Sequence, residues 1–307
     1  MTLIMSLHGP DYAVLIGDRR LSCDGRVIDD ESNKAAAIVM EDARLACAFT
    51  GLARSGAFST QDWLLDALHD CAPPDFLSVP TLQRLRSRLS TEFAENRDLR
   101  NLPVDSKRLA VLFAGFHYAP NGAFPVSALL TNFSGFAGHG DLPNEPNDFV
   151  LREVKMDQQT RVGFIGAWPA VEEDDIAVLN EMLFAGKPAK AVLGKAINLF
   201  HTIADRPSSH GTVGGQLNSI TLRSNISTGI ETGYHVRNCS PISYMANYAV
   251  LTRKQTMLAK GGMTYACDPS DPSKPIGNPI AVPKVNPNAY CPCGSKKKYR
   301  KCHGKRT

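Results

Sequence analysis

The first twenty residues, MTLIMSLHGPDYAVLIGDRR (Met1–Arg20), decide the fold. Two apolar stretches, residues 3–7 and 12–17, flank a GPD turn signal and lead into an Asp-Arg-Arg sequence. Short apolar runs bounded by turn residues predict paired β-strands. A small residue, threonine, follows Met1, and methionine aminopeptidase removes a methionine in this setting. We therefore expect the mature chain to begin at Thr2.

An N-terminal threonine places a hydroxyl and a free α-amine in one residue. The amine can take the proton of the hydroxyl directly or through water, which makes a nucleophile with its own base. A free α-amine titrates near ~7.7–8, and a neighbouring ammonium group favours its neutral form. This chemistry requires a lysine close to residue two and a carboxylate that holds the lysine.

Along the whole chain, runs of predicted strands alternate with pairs of predicted helices. Apolar and alternating runs predict strands at 3–7, 12–17, 35–40, 44–50, 108–117, 124–132, 161–166, 217–224, 229–237 and 246–252. Helical spacing predicts helices at 58–71, 81–96, 170–185 and 188–204. Helices that come in pairs between runs of strands favour an α+β fold, with antiparallel sheets and outer helical layers.

Several segments, in this order, resemble N-terminal nucleophile hydrolases, specifically proteasome β-subunits and their bacterial peptidase relatives. The segment GDRR (17–20) ends the second strand, a lysine opens the next strand, and AFTGLARSGAF (48–58) contains a glycine between strand and helix. The resemblance covers roughly residues 2–252 and implies a four-layer αββα sandwich. It also implies that Thr2 attacks, Lys34 tunes the amine, Asp18 orients Lys34, and the Gly51 N–H stabilises the oxyanion.

Three positions depart from the family's pattern. The serine of its Gly-Ser-Gly segment corresponds to Ala167, and an aspartate and a serine of a later loop correspond to His210 and Val213. The neighbouring Ser208 and Ser209 are candidate substitutes. Two functions stay open: a threonine-dependent hydrolase of peptide or amide substrates, and a catalytically inactive, proteasome-like binding protein.

The C-terminal stretch YCPCGSKKKYRKCHGKR (290–306) strongly resembles the SEC-C zinc module. Zinc prefers four soft or borderline ligands in a tetrahedron, and Cys291, Cys293, Cys302 and His303 provide three thiolates and one imidazole. A bound metal explains how a segment of about twenty residues can fold without an apolar core. We therefore predict a small zinc knuckle at the C-terminus.

Basic side chains surround the predicted metal ligands. Two partners are open for this surface: the phosphates of RNA or the ribosome, or acidic patches of a protein. With either partner the protein would act as an adaptor, which is a third function. The basic residues are Lys296, Lys297, Lys298, Arg300 and Lys301.

Composition and charge divide the chain of 307 residues into parts. Residues 283–307 hold eight of the basic residues and no acidic one, which gives this segment a charge of +8. Because the whole chain has a net charge of +4, the remaining residues have a net charge of −4. Six prolines between Asp268 and Pro287 predict a semi-extended linker. The predicted domains are 1–267, 268–287 and 288–307.

The sequence also carries expectations about location and assembly. No apolar run reaches the ~18 residues of a membrane helix, which predicts no membrane insertion. The N-terminus lacks the features of a signal peptide, so we expect a cytoplasmic protein. Proteasome subunits form rings, so the resemblance makes a homo-oligomer one candidate state, and the sequence leaves the assembly open.

Overall fold

A computed structural model of the chain describes residues 2–23, 26–30, 32–133, 146–153, 161–237, 242–243, 246–260, 267–268 and 271–275. The chain divides into two compact units, residues 1–264 and residues 265–307. Among the described residues, no helix is long and apolar enough to cross a membrane.

Strands account for most of the regular structure in the first unit. In chain order they are β1 Leu3–His8, β2 Tyr12–Asp18, β3 Leu21–Cys23, β4 Arg26–Asp29, β5 Ala35–Met40, β6 Ala43–Gly51, β7 Arg54–Ser55, β8 Phe58–Ser59, β9 Leu109–Ala119, β10 Gly122–Thr131, β11 Val150–Glu153, β12 Val162–Gly166, β13 Gln216–Arg223, β14 Glu231–Val236, β15 Ile242–Ser243, β16 Asn247–Leu251 and β17 Thr256–Ala259. The α-helices are α1 Thr60–Cys71, α2 Ser78–Glu95, α3 Glu173–Phe184 and α4 Ala189–Asp205. Short 3-10 turns span Val104–Lys107, Trp168–Ala170 and Pro207–Ser209.

These strands form two large sheets. The first sheet has the order β12, β1, β2, β13, β14, β15, and its pairs are antiparallel. The second sheet has the order β11, β10, β9, β6, β5, β16, β17. Its pairs are also antiparallel except β5 with β16, which run parallel. Two small hairpins, β3–β4 and β7–β8, lie outside these sheets.

The two sheets pack face to face through small and branched apolar side chains. Ile4 and Leu15 of the first sheet share a buried cluster with Ala37 and Leu112 of the second sheet. Alternate side chains of each strand point to the outer face of its sheet, and these side chains are apolar as well. The first sheet packs there on α3 and α4, and the second sheet on α1 and α2. The layers are therefore helix, sheet, sheet, helix.

The helices follow from local sequence signals. The Ser59 hydroxyl caps α1 by accepting a hydrogen bond of 3.4 Å from the Asp62 N–H, which satisfies one free donor of the first turn. Leu64, Leu65 and Leu68 then recur at helical spacing and are buried. The same amphipathic spacing sets the buried side of α2, α3 and α4.

Strands and paired helices occur in the predicted order, which confirms a mixed fold of α-helices and β-sheets. One clear difference is the β3–β4 hairpin, because no strand was predicted between residues 17 and 35. Its second strand leaves Val27 49% and Ile28 67% exposed. A strand such as β4, with no buried side chain, lacks the alternation from which strands are predicted.

The second unit is described only at residues 267–268 and 271–275. Cys267–Asp268 and Asp271–Pro275 form an antiparallel pair, β18 and β19. This pair occupies the start of the segment for which closely spaced prolines predict a linker. The linker at 268–287 and the division at residue 267 stay predictions.

Candidate active site

Thr2 lies immediately before β1 and is 5% exposed. Its hydroxyl donates to the Arg20 carbonyl oxygen at 3.4 Å. Its backbone N–H donates to the Thr50 hydroxyl at 3.3 Å, and its carbonyl oxygen accepts from the Ala167 N–H at 3.0 Å. The backbone of Thr2 is therefore held from both sheets, because Thr50 belongs to β6 and Ala167 follows β12.

Lys34 brings its ammonium group to the Thr2 hydroxyl. The Lys34 Nζ donates to the Thr2 Oγ1 and to the Arg20 carbonyl oxygen. Its side chain is 3% exposed. Lys34 directly precedes β5, so the start of that strand fixes the position of the Lys34 Cα atom. Of the predicted site residues, Thr2 and Lys34 are in direct contact.

Two asparagines hold the residue before Lys34. The Asn33 side-chain oxygen accepts from the Asn218 Nδ2 at 3.1 Å, and the Asn33 carbonyl accepts from the Asn247 Nδ2 at 3.1 Å. Asn218 lies in β13 of the first sheet, and Asn247 begins β16 of the second. The lysine is therefore anchored through its neighbour by strands that come late in the chain.

Asp18 ends β2 and is buried beside the lysine. Its carboxylate accepts hydrogen bonds from the N–H groups of Leu3 at 2.6 Å, Arg20 at 2.9 Å and Gly214 at 3.3 Å. Its Oδ1 lies 3.8 Å from the Lys34 Nζ. The carboxylate thus ties the strand that follows Thr2 to the lysine.

Burial and charge oppose each other in this pair. Burial raises the pKa of Asp18, while the Lys34 ammonium and three backbone N–H donors act to lower it. Burial also lowers the pKa of Lys34, and the Asp18 carboxylate opposes that shift. The Asp18 carboxylate therefore favours the charged form of the lysine, which contacts the Thr2 hydroxyl.

Two glycines, one adjacent to Thr50 and one beside the Thr2 carbonyl, have positive φ angles that other residues rarely adopt. Gly51 has φ +99°, and an added Cβ would lie 2.0 Å from the Arg108 carbonyl oxygen. Gly166 has φ +96°, and an added Cβ would lie 1.6 Å from the Thr2 carbonyl oxygen. Both positions thus require glycine. Gly166 ends β12 of the first sheet, and Gly51 ends β6 of the second sheet.

Of the three positions that depart from the pattern of the resembling family, only Ala167 contacts Thr2 among the described contacts. Ala167 lies beside Thr2 and donates its N–H, but it has no hydroxyl. His210 is exposed with φ +48°, and Val213 is buried in the apolar core. The Ser209 hydroxyl donates to the Ala204 carbonyl oxygen at 3.2 Å, in the last turn of α4.

Thr50 was not predicted from the sequence. Its hydroxyl accepts from the Thr2 N–H and also donates to the Thr2 carbonyl oxygen, at 3.2 Å. The one sequence signal was a hydroxyl residue directly before Gly51, at the end of a strand. The role of the Arg20 carbonyl had no signal, because a backbone oxygen is the same in every residue.

The predicted metal ligands Cys291, Cys293, Cys302 and His303 lie outside the described residues. Within the described ranges, no group of three or more histidine, cysteine or acidic side chains could hold a metal ion. The cysteines at 47 and 71 are buried free thiols. The zinc prediction therefore rests on the C-terminal motif.

Comparisons with known proteins give one motif and a set of structural likenesses, of which two are described below. Residues 288–305 match the SEC-C motif, and no curated protein matches the chain. The chain is similar to a structure described as the helical assembly of the Anbu complex from Pseudomonas aeruginosa, with 15% identity, 77% of this chain and 87% of that chain covered, and a TM-score of 0.46. It is also similar to Anbu (ancestral beta-subunit) from Yersinia bercovieri, with 15% identity, 71% and 80% covered, and a TM-score of 0.44. Both TM-scores are below 0.5, and neither likeness assigns an activity, substrate or partner to this chain.

Proposed function

We propose that the protein is a threonine-dependent N-terminal nucleophile hydrolase that cleaves peptide or amide bonds after removal of Met1. The observation that carries this proposal is the buried contact between the Lys34 Nζ and the Thr2 Oγ1, with Asp18 behind the lysine. A hydroxyl held against a buried ammonium becomes a better nucleophile, because the positive charge stabilises the alkoxide that forms.

The α-amine of Thr2 would act as the general base. Once Met1 is removed, the amine lies in the same residue as the hydroxyl, and the neighbouring Lys34 ammonium favours the neutral amine. The Thr2 Oγ attacks the carbonyl carbon of the substrate, and its proton passes to the amine. The amine then protonates the leaving nitrogen, and water hydrolyses the ester, which frees the hydroxyl again.

The backbone N–H of Gly51 is the proposed oxyanion donor. The Leu52 N–H donates to the Arg108 carbonyl at 2.7 Å, and Gly51 lies opposite Leu109 of β9. Because N–H groups alternate along a strand, the Gly51 N–H is directed away from β9. The ladder with β5 begins only at Ala48, so the strand is unpaired on that side at Gly51. This register supports an N–H that is open to a substrate oxygen.

We further propose that the C-terminal segment is a zinc module that recruits a partner or substrate. The donor set of three thiolates and one imidazole suits zinc, and the match to the SEC-C motif supports the assignment. Ligand thiolates must stay reduced, which agrees with our proposal of a cytoplasmic location. The neighbouring basic side chains would meet RNA phosphates or an acidic protein surface.

A second candidate function is a binding protein that has lost activity. The observation in its favour is Ala167, which gives the threonine an N–H but no hydroxyl. The two candidates differ in one chemical property, because only the hydrolase needs a free amine beside a reactive hydroxyl at Thr2.

The test uses the full-length protein and a panel of tetrapeptide epoxyketones that differ in the residue next to the warhead. An epoxyketone reacts stably only with a hydroxyl and a free amine in one residue. We expect an intact mass without Met1 and one covalent adduct on Thr2, which Thr2→Ala abolishes. Retention of Met1, or no adduct with any probe, would favour the binding protein. Thr131→Val, which changes a buried strand threonine away from Thr2, is the control.

A further inference from the structure

The nucleophile and the proposed oxyanion donor belong to different sheets. Thr2 leads into β1 of the first sheet, whereas Gly51 ends β6 of the second sheet. The spacing between them therefore depends on how the two sheets pack against each other. A misplacement of about 1 Å can cost a reaction about a hundredfold in rate.

One side chain of the second sheet bonds to the backbone of Thr2, and it belongs to the residue before Gly51. The Thr50 hydroxyl accepts the Thr2 N–H at 3.3 Å and donates its own proton to the Thr2 carbonyl oxygen at 3.2 Å. Thr50 is 3% exposed and is the residue next to Gly51. Because the hydroxyl has a single proton, its bond to the carbonyl leaves its lone pairs directed at the Thr2 nitrogen.

We propose that Thr50 is a positioning residue, which orients the α-amine of Thr2 toward its own hydroxyl and fixes the nucleophile relative to the Gly51 N–H. This inference rests on the proposed function. A neutral amine has two N–H bonds and one lone pair. When one N–H is held by Thr50, rotation about the N–Cα bond is restricted, and the lone pair can stay aligned with the hydroxyl proton.

The same arrangement explains how the site manages without a hydroxyl at Ala167. There the backbone N–H fixes only the Thr2 carbonyl oxygen, at 3.0 Å. The Ala167 N–H does not orient the Thr2 nitrogen. Among the described residues, Thr50 is the one whose side chain contacts that nitrogen. In this chain the positioning hydroxyl therefore comes from the second sheet.

The test compares Thr50→Val, which removes the hydroxyl and keeps the shape, with Thr50→Ser, which keeps the hydroxyl. Thr131→Val is the matched control, because Thr131 and Thr50 both lie opposite Ala110 of β9, one on each side. The Thr131 hydroxyl bonds only to the backbone of Phe133 among the contacts described. All variants are treated with the tetrapeptide epoxyketone that labels the unmodified protein fastest, and melting temperatures check the fold.

We expect Thr50→Val to lower the maximal inactivation rate constant about 10- to 100-fold, with the probe concentration for half-maximal rate unchanged. Thr50→Ser and Thr131→Val should stay within about threefold of the unmodified protein. Equal rates for Thr50→Val and the unmodified protein would overturn the inference and leave the proposed function intact. A loss that Thr50→Ser does not rescue would assign Thr50 a packing role only. If Thr50→Val does not fold, the Ser and Ala variants give the same comparison.

Discussion

Replacement of Lys34 by methionine tests the core of the proposed site. Methionine keeps the apolar stem of the lysine and removes its charge, so Asp18 is left buried without its cationic partner. The two side chains are 3% and 0% exposed, and water can therefore replace the ammonium only poorly. We expect a loss of stability together with a loss of reactivity at Thr2.

The size of the stability loss follows from the geometry. Unit charges 3.8 Å apart interact by about 4 kcal/mol at an effective dielectric constant of about 20. Breaking a buried pair from one side typically costs about 3–5 kcal/mol. Three backbone N–H donors still stabilise the Asp18 carboxylate, so we expect the lower part of that range.

Urea unfolding of Lys34→Met, Asp18→Asn and the double variant measures the coupling between the two residues. Asparagine does not relieve the site fully, because both carboxylate oxygens accept N–H groups and the amide NH2 must replace one of them. We expect the double variant to lose about 2–3 kcal/mol less than the sum of the single variants. Additive losses would refute the ion pair. Epoxyketone labelling of Lys34→Met should also fall about 100-fold or more.

Three further predictions concern other parts of the chain. Gly51→Ala should lower stability and labelling together, because its Cβ would lie 2.0 Å from the Arg108 carbonyl oxygen; unchanged labelling would contradict the proposed oxyanion role. Burial lowers the pKa of His8 and of His235 to about 4 from 6.5, so the unfolded chain binds protons first and stability should fall as the pH drops from about 6.5 to 4. Each histidine contributes up to about 3 kcal/mol to this loss, and His8→Met should flatten the urea-unfolding profile over that range; an unchanged slope would contradict the assignment. Metal analysis of the full-length protein should find one zinc per chain, lost in Cys293→Ser but kept in Cys267→Ser; equal zinc in both variants would exclude the proposed ligand set.

Much of the fold was predictable because its elements carry strong local patterns. Strands β1, β2, β5 and β6 are short apolar runs between clear turn signals, and all four helices have one apolar side. The β3–β4 hairpin was not predictable, since β3 has three residues and the largely exposed side chains of β4 give no pattern of burial. The parallel pairing of β5 with β16 also had no local signal, because it joins residues about two hundred positions apart.

The candidate site also contains some residues that could be predicted from the sequence and others that could not. The resemblance to N-terminal nucleophile hydrolases was enough to name Thr2, Asp18 and Lys34, which the structure brings together, while their catalytic roles stay predictions. The sequence did not indicate Thr50, because its contacts with Thr2 exist only when two sheets pack face to face. It also did not indicate that Asn218 and Asn247 anchor the residue before Lys34. Such contacts depend on tertiary geometry, which neither periodicity nor a short motif encodes.

The anchoring of Asn33 has a consequence for synthesis of the chain on the ribosome. Its partners, Asn218 and Asn247, are translated long after Thr2 and Lys34, and β5 receives its parallel neighbour only when residues 247–251 are available. Pairings between distant residues form late in folding. A nascent chain thus exposes its N-terminal threonine well before the lysine is fixed in place. Under the proposed function, the lysine that assists Thr2 would therefore be fixed in place only once translation is nearly complete.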